Sequence, residues 1–243
     1  MRKLTDLLED IGRLPSDWHG AGSLGPDVLQ AIAAHAVRRK VAHTAETGTG
    51  KSTLLFSHLS SQHTVFAVND TGTSDSLAQV LSSGLLRRER VDFVIGPTQK
   101  TLPVFDFKFP LQMVLLDGPH AYPFPELEYY YFYGHLEEDG LLIVDDIHIP
   151  TIFRLFEFLA EDEMFDCLEV VRTTAFFRRN NSPLFDPLQD GSWLQRYNKT
   201  RFPVQYPPSE PSWLQTAGRF LPPPARSVAR QLRAAWRSLR SCR

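Results

Sequence analysis

The chain has 243 residues, 42% of them apolar and 22% charged, the balance of an ordinary globular protein with room for one α/β domain and an appendage. Its formal net charge is −2, but residues 221–243 hold six arginines and no acid, leaving residues 1–220 at about −8. That distribution excludes a polyanion-binding core.

Leu4, Leu7, Leu8 and Ile11 recur at helical spacing and predict a helix over 4–14. A Gly-rich connection, WHGAGSLGP, leads to a second helix, PDVLQAIAAHAVRR, opened by Pro26. Residues 1–39 are expected to form a helical lid or cap, with Trp18 and His19 in its connection. From residue 40 strands and helices alternate. Strands are predicted at KVAHTAE, HTVFAVND, VDFVIG, LQMVLLDG and GLLIVDDIH. Helices are predicted at KSTLLFSHLSS, SDSLAQVLSSGLL, PELEYYYFYGHL and PTIFRLFEFLAED, and FDCLEVVRTTAFFRR supplies two final strands. Apolar strands separated by helices indicate a mostly parallel sheet covered on both faces, a doubly wound, Rossmann-like α/β sandwich over residues 40–180.

Residues 181–225 read as a Pro-rich irregular extension, since nine of the 18 prolines fall between Pro183 and Pro224. Residues 226–243 read as a basic amphipathic helix. Arg226, Arg230, Arg233, Arg237 and Arg240 share one face, opposite Val228, Leu232, Trp236 and Leu239. Two readings of it stand: docking on the core through the apolar stripe, or peripheral attachment to an anionic membrane surface. Nucleic-acid binding is not expected. Two cysteines, Cys167 and Cys242, exclude a thiolate metal site and a disulfide framework. Acids within MRKLTDLLEDIGRL, and the lack of any apolar run of about 18 residues, make a cytoplasmic location the expectation.

Ligands of doubly wound sheets lie beyond the carboxyl ends of the strands. The first such place is AETGTGKST, residues 45–53. A triphosphate loop needs Gly, four residues, then Gly-Lys-Ser/Thr, which puts its first glycine where Ala45 stands. The alternative is a nucleoside-cofactor bend: Glu46 and Thr47 end the strand, Gly48 makes the turn, Gly50 lets the backbone approach a ligand, and Ser52 opens the helix. A glutamate there suits an ammonium group and would repel a triphosphate. Asn69 or Asp70, closing the next strand, is placed to bind ribose hydroxyls.

AETGTGKST, LLDGPHAYP and GLLIVDDIHIP, in this order, resemble the motifs of class I S-adenosylmethionine-dependent methyltransferases. Within these, the chain is most similar to the metal-dependent sugar and macrolide O-methyltransferases and their cephalosporin-hydroxylase-like relatives. The resemblance covers roughly residues 40–180. It implies seven strands, six parallel and one antiparallel, with the methyl donor over the first half of the sheet.

Asp117 ends one buried strand and Asp145-Asp146 the next, and neighbouring strands lie about 5 Å apart. Three carboxylates so close call for a divalent cation, Mg²⁺ or Mn²⁺, and the resemblance implies the same ligands. Asp117 is expected to serve the donor and the reacting centre as well. His120, three residues on, is the expected base, since an imidazole can take a hydroxyl proton at neutral pH. Tyr122 and His148 are expected to contact the acceptor, with Phe124 beside them, while the run EYYYFY packs rings on the sheet. The expectation is a metal-assisted O-methyltransferase for a hydroxylated small molecule, a sugar or glycan precursor among the candidates. Its rivals are a nucleotide-hydrolysing enzyme and a catalytically silent interaction module. A homo-oligomer is left open.

Overall fold

The computed structural model describes residues 3–15, 23–69, 76–184, 192 and 195–201. Residues 1–198 make one compact unit and 199–243 a second, of which only 199–201 are described. Trp18, His19, Asp70 and the 226–243 segment lie outside the described residues.

Seven strands form one sheet: β1 (His43–Thr47), β2 (Gln62–Ala67), β3 (Val91–Ile95), β4 (Leu111–Leu116), β5 (Leu136–Val144), β6 (Phe165–Val171) and β7 (Thr174–Arg179). Their order is β3-β2-β1-β4-β5-β7-β6. Strands β1 to β5 pair in parallel, and β7 runs antiparallel to both β5 and β6, so six strands share one direction as expected. The order reverses between β1 and β4, which opens a crevice at their carboxyl ends.

Side-chain alternation sends Met113, Leu115, Leu141, Ile143 and Phe176 to one face of the sheet. There they meet helices α1 (Leu4–Arg13), α2 (Pro26–Arg39) and α3 (Lys51–Leu59) through Ile11, Leu29, Ile32, Leu55 and Phe56. Val114, Leu116, Leu142, Val144 and Phe177 point to the other face, against α6 (Phe124–Tyr133) and α7 (Pro150–Glu161). Each such fully buried Leu, Ile or Phe contributes about 1.5–3 kcal/mol. The aromatic run packs as expected, with Phe132 against Phe66 and Phe107 at ring separations of 5.8 and 5.7 Å.

Helices α1 and α2, expected as a lid or cap, are built into the covering layer of the first face. The β1 strand is polar because its Thr44 hydroxyl pairs with the buried His63 Nδ1 at 2.8 Å. Strand β5 starts at Leu136, earlier than its apolar run. Among the described residues three short helices complete the set: α4 (Ser76–Ser82), α5 (Thr98–Thr101) and α8 (Arg196–Arg201), the last within the Pro-rich extension. Among the described residues no helix is long and apolar enough to cross a membrane.

Candidate active site

A cavity of about 610 Å³ opens over the carboxyl ends of β1, β2, β4 and β5. Its first half is made largely of backbone. After β1, Gly48 turns with φ 87° and donates its N–H to the Phe66 carbonyl at 2.9 Å. A side chain at Gly48 would collide with the Asp117 carbonyl, so the turn needs glycine for both conformation and space. Gly50 then caps α3, its N–H donating to Thr53 Oγ1 at 3.0 Å. Gly48, Thr49, Phe66 to Val68 and the Gly96–Gln99 loop wall this half.

The sequence-predicted donor residues divide. Gly48 is on the wall; Asn69 is exposed just beyond the wall residue Val68 and is not part of it. Glu46 is 0% exposed and off the cavity, because alternation along β1 turns it under α3. Its Oε1 accepts a hydrogen bond from Thr53 Oγ1 and lies 3.2 Å from His63 Nε2. The expected ammonium contact is therefore replaced by a buried brace beneath the bend. Thr47 also works below the floor, donating to Glu128 Oε2 at 2.8 Å and accepting the Asp117 N–H at 3.1 Å. Ser52 is buried in the first turn of α3, away from the wall. Lys51 is buried too and donates to the Leu14 carbonyl at 2.9 Å, so the lysine of the triphosphate-loop reading is occupied in joining α3 to α1.

The second half carries charge. One ligand atom from each of Asp117, His120 and Asp146 lies within 4.8 Å of the others. His120 Nε2 is 3.3 Å from Asp146 Oδ2, and His148 Nδ1 is 3.6 Å from Asp146 Oδ1. The Thr151 hydroxyl donates to the His120 carbonyl at 2.5 Å and ties the β4 loop to α7. Asp146 adopts φ 55°, a left-handed conformation that aspartate tolerates better than most side chains. Asp145 lies on the same wall but is buried and accepts the Thr174 hydroxyl at 2.5 Å, so of the expected trio of aspartates Asp117 and Asp146 are the two that converge, with His120 beside them.

Burial, and then the neighbouring Asp145, Asp146, Glu46 and Glu128 carboxylates, push the Asp117 carboxyl well above its ordinary range. Burial raises Asp145 as well, against the hydrogen bond from Thr174. A low-dielectric floor holding several acids is suited to a cation or a proton.

Tyr122 is 60% exposed and stacks on Arg154, 5.5 Å from the guanidinium; it is not a cavity wall, and neither is His148. Phe124 is. The residues missed in the sequence are Glu128, Thr174 and Arg172. Glu128 is 1% exposed, pressed beneath Gly118, and pushed up to about 7 by burial. Its signal was legible: Phe124, Glu128 and Phe132 recur every four residues, so the acid shares the buried helix face. Thr174 and Arg172 carried no comparable pattern.

Residues 45–147 match the family model of a methyltransferase domain. The sheet order above agrees with that match. The chain has the Rossmann-like methyltransferase fold. No curated protein matches it by sequence. Among solved structures, the chain is similar to an O-methyltransferase from Bacillus cereus solved with SAH (13% identity, 73% of this chain and 90% of that one, TM-score 0.55). It is also similar to the O-methyltransferase TomG of Streptomyces achromogenes, involved in tomaymycin synthesis and solved with SAM (15% identity, 72% and 90%, TM-score 0.55). A methyltransferase from Geobacter sulfurreducens aligns over 75% of this chain and 91% of its own at 13% identity, TM-score 0.51. At these identities the three establish a shared fold.

Proposed function

We propose that the protein moves the methyl group of S-adenosylmethionine to a hydroxyl oxygen of a small-molecule acceptor, with Mg²⁺ or Mn²⁺ held by Asp117 and Asp146. The observation that carries this reading is the convergence of Asp117, His120 and Asp146 on a cavity whose other half is the Gly48 bend. The bend offers close backbone approach at the head of α3, and Phe66, Ala67 and the Gly96–Gln99 loop offer an apolar bed for a nucleoside. Two structural neighbours hold SAH or SAM, which supports the same donor here. The buried lysine at 51 argues against a triphosphate.

Two carboxylates at the rim, one of them with a raised pKa, suit a hard divalent cation. Bound there, such an ion would neutralise the acids and lower the pKa of the acceptor hydroxyl. His120 takes the hydroxyl proton, and Asp146, 3.3 Å from Nε2, stabilises the resulting imidazolium. The new C–O bond forms as the S–CH₃ bond breaks, and the sulfonium leaves as a neutral thioether. Alignment of donor and acceptor in the cavity supplies the largest share of the acceleration, on the order of 7–11 kcal/mol.

Calorimetric titration with S-adenosylmethionine, SAH and ATP, each with and without Mg²⁺, tests the donor. Binding of ATP alone would reject it. His120→Ala should lower methyl-transfer turnover about a hundredfold or more while leaving Mn²⁺ binding intact. Loss of Mn²⁺ binding in that variant would make His120 a metal ligand instead of the base. For residues 226–243 the proposal is contact with anionic membrane surfaces, favoured by the arginine face; wild-type protein that stays in solution with anionic vesicles would remove it.

A further inference from the structure

The charged half of the cavity is acidic except at one place. Arg172 is the sole lysine or arginine on the wall among the described residues. It occupies the two-residue turn between β6 and β7 with φ 55°, a left-handed conformation that a long side chain adopts at an energetic cost. The turn is fastened to the acid cluster's own loop, since Ile147 N–H donates to the Thr173 carbonyl at 2.9 Å. Arg172 Nε donates to Asp27 Oδ2, which fixes the guanidinium from its inner edge. The two terminal nitrogens have no hydrogen-bond partner among the described residues. The side chain is 70% exposed, so those nitrogens stand at the open edge of the cavity.

A guanidinium held by Nε presents its outer nitrogens as a fork that matches a carboxylate or phosphate. Close to Asp117 and Asp146 an anionic group would be repelled, and at Arg172 it would be held. We infer that the acceptor is a hydroxylated anion, its hydroxyl at the Asp117–His120–Asp146 cluster and its carboxylate or phosphate on Arg172. The inference rests on the O-methyl-transfer reading and adds the substrate's charge to it. Arg172 is a specificity residue, selecting the acceptor without touching the reacting atoms.

Methyl transfer is measured with Mg²⁺ for matched pairs: 3,4-dihydroxybenzoate against 3,4-dihydroxybenzamide, glucuronate against glucose, and glucose 6-phosphate against glucose. Binding of each compound to the SAH-loaded protein is measured by calorimetry alongside. The carboxylate pairs and the phosphate pair tell the two anion sources apart. The anionic member of at least one pair should be favoured about tenfold or more in kcat/KM or in affinity. Arg172→Gln should abolish that preference by weakening the anion alone, Arg172→Lys should restore part of it, and SAH affinity should not change. Equal handling of anionic and neutral members in every pair would overturn the inference, as would Arg172→Gln weakening both alike. Failure of the wild type to bind SAH would instead reject the donor reading beneath it.

Discussion

The two halves of the cavity are built from opposite materials. The β1–α3 bend relies on glycine and backbone, with its one acid, Glu46, buried beneath and braced by Thr53. The β4–β5 rim relies on crowded ionisable side chains, with Asp117, His120 and Asp146 each half-buried. The first half should therefore answer to changes of shape and the second to pH and cations.

The largest effect is expected in the backbone half. Gly48→Ala must place a Cβ against the Asp117 carbonyl at φ 87°, costing about 3 kcal/mol or more from strain and overlap together. Urea unfolding and SAH titration should both show the loss; an unchanged midpoint would mean the bend has room to relax.

Glu128 sharpens the contrast through pH. Its folded pKa of about 7 exceeds the ordinary 4.5, so between those values the folded chain keeps a proton that the unfolded chain releases. Stability should fall as pH rises through that window, by about 3 kcal/mol in all. Glu128→Gln should remove this slope, so its advantage over the wild type grows from pH 5 to pH 8 in denaturant titrations. A wild type without the slope would break the comparison.

Asp117→Asn should reduce turnover about a hundredfold while SAH binds as before. Without metal the same variant should gain stability over the wild type as pH rises above the ordinary carboxylate range, because burial and the neighbouring acids disfavour the charged form of Asp117. The smallest effect is expected for Thr174→Val, which strips the hydrogen bond from buried Asp145 and costs about 1–3 kcal/mol in thermal or chemical denaturation.

Much of the fold was legible because its central strands are continuous apolar runs: LQMVLL and GLLIV became β4 and the buried end of β5. The start of β5 was not, since Glu138 and Asp139 are exposed and Asp139 takes φ 65°, which reads as a loop. Sequence spacing placed Asp117, His120 and Asp146 near one another, and the structure brings them together. It could not say which of two adjacent aspartates stands beside His120, because that depends on the left-handed backbone at Asp146. Nor could it orient Glu46. A single step of strand register decides between cavity and α3, and Thr53 and His63 supply the partners on the α3 side.

The most direct test of the central claim is calorimetric titration of Mn²⁺ into the SAH-saturated protein. The account predicts that SAH saturates the wild type and that one equivalent of Mn²⁺ then binds, an equivalent lost in both Asp117→Asn and Asp146→Asn. A wild type that takes up neither ligand, or variants that bind the ion undiminished, would contradict it.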